Sequence, residues 1–204
     1  MTDADSDAPL RHKLKMARRK AVQDAEVASK PILEKGLLMV NTGPGKGKST
    51  AAFGLALRAL GHGWPVGVVQ FIKGAWDTGE RRLLEGSEMV RWHSMGEGFT
   101  WETQDRDRDV AAAKAAWAKA QALMADPAIR LVVLDELNIA LRYDYLSLAD
   151  VVAELKGRRP GLHVVVTGRN AKPELIEAAD LVTTFEATKH HFAAGVRAQA
   201  GIEF

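Results

Sequence analysis

The run Thr42-Gly-Pro-Gly-Lys-Gly-Lys-Ser-Thr50 constrains this chain more than any other stretch. An apolar segment, Gly36 to Asn41, leads into it, and a helical pattern, Ala51 to Leu60, leads out. Strand, glycine-rich turn and helix form the context of a phosphate-binding loop. Glycines let backbone N–H groups converge on an anion, and a helix N-terminus adds unpaired donors and a partial positive charge. Lys48 brings a point charge for phosphate oxygens, and the Ser49 hydroxyl suits a phosphate-bound Mg²⁺. The pattern G-x-x-x-x-G-K-[ST] asks for glycine at position 42, where this chain has threonine. The loop also carries an extra lysine, Lys46. A nucleotide phosphate chain is the expected ligand, and the loop alone leaves open what is done to it.

With 204 residues, 47% apolar and 26% charged, the chain can bury one sizeable core. A net charge of +2 exerts no strong pull on nucleic acid or membrane. The absence of cysteine excludes disulfides, thiolate metal sites and cysteine nucleophiles. No apolar run approaches about 18 residues, and no signal-peptide core begins the chain. The expectation is a cytoplasmic protein, with neither nucleic acid nor membrane as a partner.

Two regions are expected, an N-terminal tail and basic helix over 1–35 and a nucleotide-binding domain over 36–204. Arg11 to Lys20 holds basic residues and no acid, and the helix-compatible stretch Ala21 to Lys30 runs to Pro31. Such a helix is either solvated or lies over a phosphate-bearing site or a second subunit. After the loop helix, Val66 to Phe71 reads as a strand, which makes a βαβ unit and hence a mostly parallel sheet with helices on both faces. Glu80 to Glu85 reads as a short helix, Met89 to His93 as a strand, and Asp107 to Met124 as an alanine-rich helix. Trp117 and Leu123 are expected in its core-facing side. Phe99 and Trp101, two apart in a glycine-containing loop, either pin that loop or form a paired wall.

Arg130-Leu-Val-Val-Leu-Asp135-Glu136 is the second chemical motif. Its apolar residues describe a buried strand that delivers Asp135 to the C-terminal edge of the sheet, where ligands of open parallel sheets bind. Paired with the loop, Asp135 belongs to a metal shell beside Ser49. The adjacent Glu136 is the acid expected in the RecA-like branch of P-loop proteins. Leu162 to Thr167 is a further buried strand. It is followed by Gly168-Arg169-Asn170, where Arg169 either reaches a phosphate or lies on the surface. Pro173 to Ala179 and Leu181 to Phe185 complete the helix and strand pattern.

These residues together resemble the P-loop ATP:corrinoid adenosyltransferases. The resemblance rests on the loop through Gly54, on Gly98-Phe-Thr-Trp-Glu-Thr-Gln104, and on Leu134-Asp-Glu-Leu137 with Tyr143-Asp-Tyr-Leu146. Val166-Thr-Gly-Arg169, Lys189-His190 and Gly195-Val-Arg-Ala-Gln199 complete it. Pro44 departs from the family's usual asparagine and removes a backbone donor. The resemblance implies a RecA-like P-loop NTPase fold and transfer of the 5′-deoxyadenosyl group of ATP to a corrinoid Co(I), with triphosphate released. It implies a nucleotide held in reverse, with C5′ turned toward the corrin. It implies ATP contacts from Gly43, Pro44, Gly45, Lys46, Gly47, Lys48, Ser49, Thr50, Arg58 and Arg169. Ser49, Asp135 and Glu136 would hold Mg²⁺ or Mn²⁺, with Lys48 steadying the leaving group. Phe99 and Trp101 would face the lower side of the corrin, displace its axial ligand and ease reduction to Co(I) by a flavodoxin or flavin reductase. A homodimer is implied as well. The competing classes are a RecA-like ATPase coupled to a macromolecule and a nucleotide-gated corrinoid chaperone.

Overall fold

The computed structural model describes residues 8–31, 35–72, 78–95 and 105–203. The chain divides into two compact units, 1–34 and 35–204. In the first, the basic stretch and the segment after it form one helix, α1 (Ala8–Ser29), which has no buried residue. No glycine interrupts residues 10–30, and the helix ends just before Pro31, which cannot continue it. Its exposed face carries Leu10, Leu14, Val22 and Val27 beside a Lys20–Asp24 ion pair of 2.6 Å.

The second unit is an α/β sandwich. Its strands are β1 (Leu38–Thr42), β2 (Val66–Gln70), β3 (Val90–Ser94), β4 (Leu131–Asp135), β5 (His163–Thr167) and β6 (Leu181–Thr184). Among the described residues they form one six-stranded sheet in the order β3-β2-β4-β5-β1-β6, with every neighbouring pair parallel. The connecting helices are α2 (Lys48–Gly61), α3 (Gly79–Leu84), α4 (Arg106–Ala125), α5 (Leu137–Arg142), α6 (Leu148–Lys156) and α7 (Pro173–Ala178). A 3₁₀ turn, Phe192–Ala194, follows β6.

Side-chain alternation along the strands builds a core on each face of the sheet. Leu38, Val40, Val132, Leu134, Val164 and Val166 point to one side, where they meet Trp117 and Leu123 of α4 and Leu155 of α6. Met39, Val68, Leu131, Val133 and Val165 point to the other, where Ala52, Phe53 and Ala56 of α2 cover them. Both faces are therefore closed, and this explains why β4 and β5 read as unbroken apolar runs rather than alternating ones. The expected core roles of Trp117 and Leu123 hold. α4 starts at Arg106 because the Asp105 side chain caps it, accepting from the Arg108 N–H at 3.1 Å.

Parallel pairing puts all the strand C-termini on one edge. The loop after β1, Gln70, Asp135, Thr167 and the exit of β6 therefore share that edge. β5 lies between β1 and β4, so the acid-bearing strand is one strand removed from the loop strand.

Candidate active site

The loop is stitched to the end of β6. Phe185 N–H donates to Thr42 O at 2.9 Å, and Gly45 N–H donates to Phe185 O at 2.7 Å. A Cβ at Gly43 would lie 2.5 Å from Phe185 O, and one at Gly45 would lie 2.6 Å from Glu186 O. Both glycines are therefore demanded by close backbone approach, and Gly43 also has φ of 99°. The N–H of Gly45 is engaged by Phe185. The amides around Gly47 are different. Gly47 is the left-handed N-cap of α2 with φ of 104°, no side chain caps the helix, and its first amides have no intrahelical acceptor. Amides of this kind are suited to receive an anion.

Lys48 is buried at 8% exposure, and its ammonium donates to Gly43 O at 2.9 Å and Gly45 O at 2.5 Å. It thus spans the concave side of the loop. Asn41 Nδ2 donates to Lys48 O at 3.1 Å, which locks strand end to helix start. Pro44 in the loop and Thr50 in the first turn of α2 are exposed. The extra lysine is already engaged: Lys46 pairs with Glu203, which also binds His191 Nε2 at 2.5 Å. The hydrogen bond from Lys46 is the main reason the Glu203 carboxyl sits below its ordinary pKa.

Asp135 is completely buried and gathers donors from two neighbouring strands and the loop helix. Ser49 Oγ and Thr167 Oγ1 each donate to its Oδ1 at 2.7 Å, and Gln70 Nε2 donates to Oδ2 at 3.1 Å. Thr167 Oγ1 also accepts the Glu136 N–H at 3.0 Å. Glu136 is the N-cap of α5 in the left-handed region, with φ of 63°. A non-glycine residue there costs about 1–2 kcal/mol, and such strain collects at functional sites. Space for the Glu136 carboxylate comes from Gly168, where a Cβ would lie 3.1 Å from Glu136 Oε2 and 2.8 Å from Asn138 Cβ. Asn138 Nδ2 donates to Gly168 O at 2.9 Å, while its Oδ1 is buried with no hydrogen-bond partner among the described residues.

The structure thus brings Gly47, Lys48, Ser49, Asp135 and Glu136 together. Arg169 is exposed on the same edge, beside Ala171, whose N–H donates to Thr42 Oγ1 at 3.1 Å. Arg58 is not brought to the loop. It sits exposed in the last turn of α2, ten residues after Lys48 and so about 15 Å away along the axis. Phe99 and Trp101 lie outside the described residues. Asn41, Gln70 and Asn138 share this edge and were passed over by motif reading, and Thr167 entered it only as part of the Val166–Arg169 stretch.

Among the described residues no group of three histidines or acids forms an all-protein metal cage. The oxygen set of Ser49, Asp135 and Glu136 instead suits Mg²⁺, which prefers one or two carboxylates, substrate phosphates and its own waters.

A family model for ATP:corrinoid adenosyltransferases of the BtuR/CobO/CobP type matches residues 34–204. The chain belongs to this family. A second model, the N-terminal segment of cob(I)alamin adenosyltransferases, matches residues 1–27, which include most of α1. A corrinoid adenosyltransferase of Pseudomonas aeruginosa is 57% identical over 95% of this chain and 96% of its own length. One from a Sinorhizobium species is 56% identical over 95% and 92%. Corrinoid adenosyltransferase CobA of Salmonella typhimurium is 50% identical over 84% and 87%. These family members cover nearly the whole chain, so loop, acid pair and C-terminal turn all fall inside the match.

Proposed function

We propose that this chain transfers the 5′-deoxyadenosyl group of ATP to the Co(I) centre of a corrinoid, cob(I)yrinic acid a,c-diamide or cob(I)alamin. Cobalt gives an electron pair to C5′, the C5′–O bond breaks, and triphosphate leaves with the electrons of that bond. Family membership over nearly the whole chain supports the reaction class. The observation that carries the site assignment is the convergence of Ser49, Thr167 and Gln70 on Asp135, directly beside the phosphate loop.

The chain's own residues then divide the work. Amides at the start of α2 and the Lys48 ammonium hold the triphosphate and stabilise charge that grows on its bridging oxygen. Lys48 exchanges its two carbonyl partners for phosphate oxygens, and Lys46 exchanges Glu203. Arg169 adds a guanidinium from the neighbouring strand end, and Arg58 is assigned to the nucleotide on the strength of the family resemblance alone. Ser49 and Glu136 would hold the divalent ion, and Asp135 orients Ser49. When bound, Mg²⁺ or Mn²⁺ neutralises phosphate charge. Phe99 and Trp101 face the corrin on the strength of the family resemblance alone. The exposed apolar residues of α1 support a homodimer in which a second copy covers that helix. A flavin-dependent electron donor supplies Co(I), and the cytoplasm is the compartment.

The test is incubation with ATP, Mg²⁺ and chemically reduced cobalamin. The reading expects a light-sensitive cobalt–carbon chromophore that forms only when both substrates are present. Steady ADP and phosphate production without corrinoid would replace it with the RecA-like ATPase reading.

A further inference from the structure

We infer that Gln70 is a positioning residue for the nucleotide-metal site, held in one orientation by a half-buried relay through Ser94 and Trp92. The inference rests on the metal reading above and extends it to residues outside every motif. Gln70 ends β2 at 1% exposure, in an otherwise apolar strand. Burying a primary amide is costly unless its polar atoms are satisfied, and here both ends are. Its nitrogen donates to Asp135 Oδ2 at 3.1 Å, and its oxygen accepts from Ser94 Oγ at 2.9 Å. Ser94 Oγ in turn accepts from Trp92 Nε1 at 3.0 Å.

Donor and acceptor chemistry permits one polarity along this chain. An indole N–H only donates and a carboxylate only accepts. Ser94 must therefore receive from Trp92 and give its proton to the Gln70 oxygen, and the amide nitrogen must face Asp135. The far end is fixed by packing. Trp92 stacks on Phe53 with centroids 5.3 Å apart and an interplanar angle of 18°. Phe53 lies four residues after Ser49, on the same face of α2. The circuit thus starts at Ser49, passes through Asp135, Gln70, Ser94 and Trp92, and returns to the same helix at Phe53. Three strands and the loop helix are tied by it.

The consequence concerns Asp135. Its Oδ1 accepts from Ser49 and Thr167, and Gln70 donates to Oδ2. Removing that donor lets the carboxylate turn, and the Ser49 hydroxyl turns with it. Partners that orient a metal shell in this way change metal affinity about 10- to 100-fold when they are removed.

The test uses the full-length chain, saturating ATP and Mn²⁺ as the probe, with free Mn²⁺ read by electron paramagnetic resonance. Gln70→Met, which keeps length and removes both polar atoms, is expected to weaken Mn²⁺ binding about tenfold. Ser94→Ala, which leaves Asp135 its donor but frees the amide to rotate, is expected to weaken it about threefold. Ser94→Thr restores the hydroxyl and should return binding to within about twofold of wild type. Wild-type Mn²⁺ affinity in both Gln70→Met and Ser94→Ala, whatever their melting temperatures, would overturn the inference and reduce the relay to packing. If Gln70→Met does not fold, the Ser94 pair decides on the same criterion. Failure of the wild-type protein to bind Mn²⁺ with ATP would overturn the metal reading itself, and the inference with it. That failure is visible before any variant is made.

Discussion

The two edges of the central sheet use the same side-chain types to opposite ends. At the N-terminal edge Arg158, with its side chain 7% exposed, donates to Leu155 O at 2.6 Å, to Leu162 O at 3.3 Å and to Gly36 O. It also meets Asp180, which accepts the Leu38 N–H at 2.9 Å. Nearby, His163 stacks on Trp64 at 5.6 Å, and the Arg130 guanidinium lies 4.9 Å from the centroid of a Trp64 ring. Charges there close on backbone carbonyls and on each other, around a Gly36 pressed against Leu162 O and left-handed turns at Gly63 and Gly161 that only glycine occupies. At the C-terminal edge, glycines are pressed against backbone and Glu136 sits in a left-handed conformation. A completely buried aspartate there gathers side chains from three other elements. One edge is finished in the free protein. The other is the edge to which we assign the substrate. Variants at the two edges should therefore separate stability from activity.

Lys48→Ala carries the largest expected effect. It should lower kcat/KM about 10²- to 10³-fold through lost stabilisation of the leaving group. Its melting temperature should stay within about 3 °C of wild type. A matching collapse of stability would mean that Lys48 mainly holds the loop carbonyls together. Arg158→Ala is the mirror image. It should cost about 3 kcal/mol of stability, because three carbonyls and Asp180 lose a buried donor. Denaturant melts check that figure, and kcat at low temperature should be unchanged.

Gly168→Ala sharpens the contrast from within the site. The new methyl meets Asn138 and Glu136 at a residue with φ of 127°. Strain of about 1–2 kcal/mol and a roughly tenfold fall in kcat are expected. Equal losses in Gly161→Ala, at an open turn on the other edge, would show that the effect is only backbone strain. The smallest effect is a pH dependence. Burial, and then Arg130 and Arg158, hold the His163 pKa below its ordinary 6.5. The unfolded chain therefore takes up the proton first. The contribution of His163 is full above about pH 6.5 and is lost as pH falls through the lowered folded value. His163→Gln should flatten the drop in melting temperature between neutral pH and pH 5 by about 2 °C.

The finished edge and the working edge were not equally legible. Gly47-Lys48-Ser49 and Leu134-Asp135-Glu136 carry their chemistry in local spacing, so loop, acid pair and parallel sheet could be read directly. Gln70 and Thr167 could not, because their partners are set by register. Gln70 faces Asp135 only because β2 pairs with β4 in that register, and β4 pairs with β5 to bring Thr167 alongside. Sheet order is a property of the folded chain, and a polar residue at the end of an apolar run looks like a strand terminus. The role of Lys46 was hidden for the same reason, since Glu203 lies 157 residues away.

The central claim is that the loop holds a leaving triphosphate, so the bond that breaks is C5′–O and not a phosphoanhydride. ATP carrying ¹⁸O at the bridge between C5′ and the α-phosphorus tests this directly. With reduced corrinoid and the full-length protein, the account predicts intact triphosphate with the label retained and unlabelled adenosyl on cobalt. Label found in ADP, with unlabelled inorganic phosphate released alongside, would contradict it.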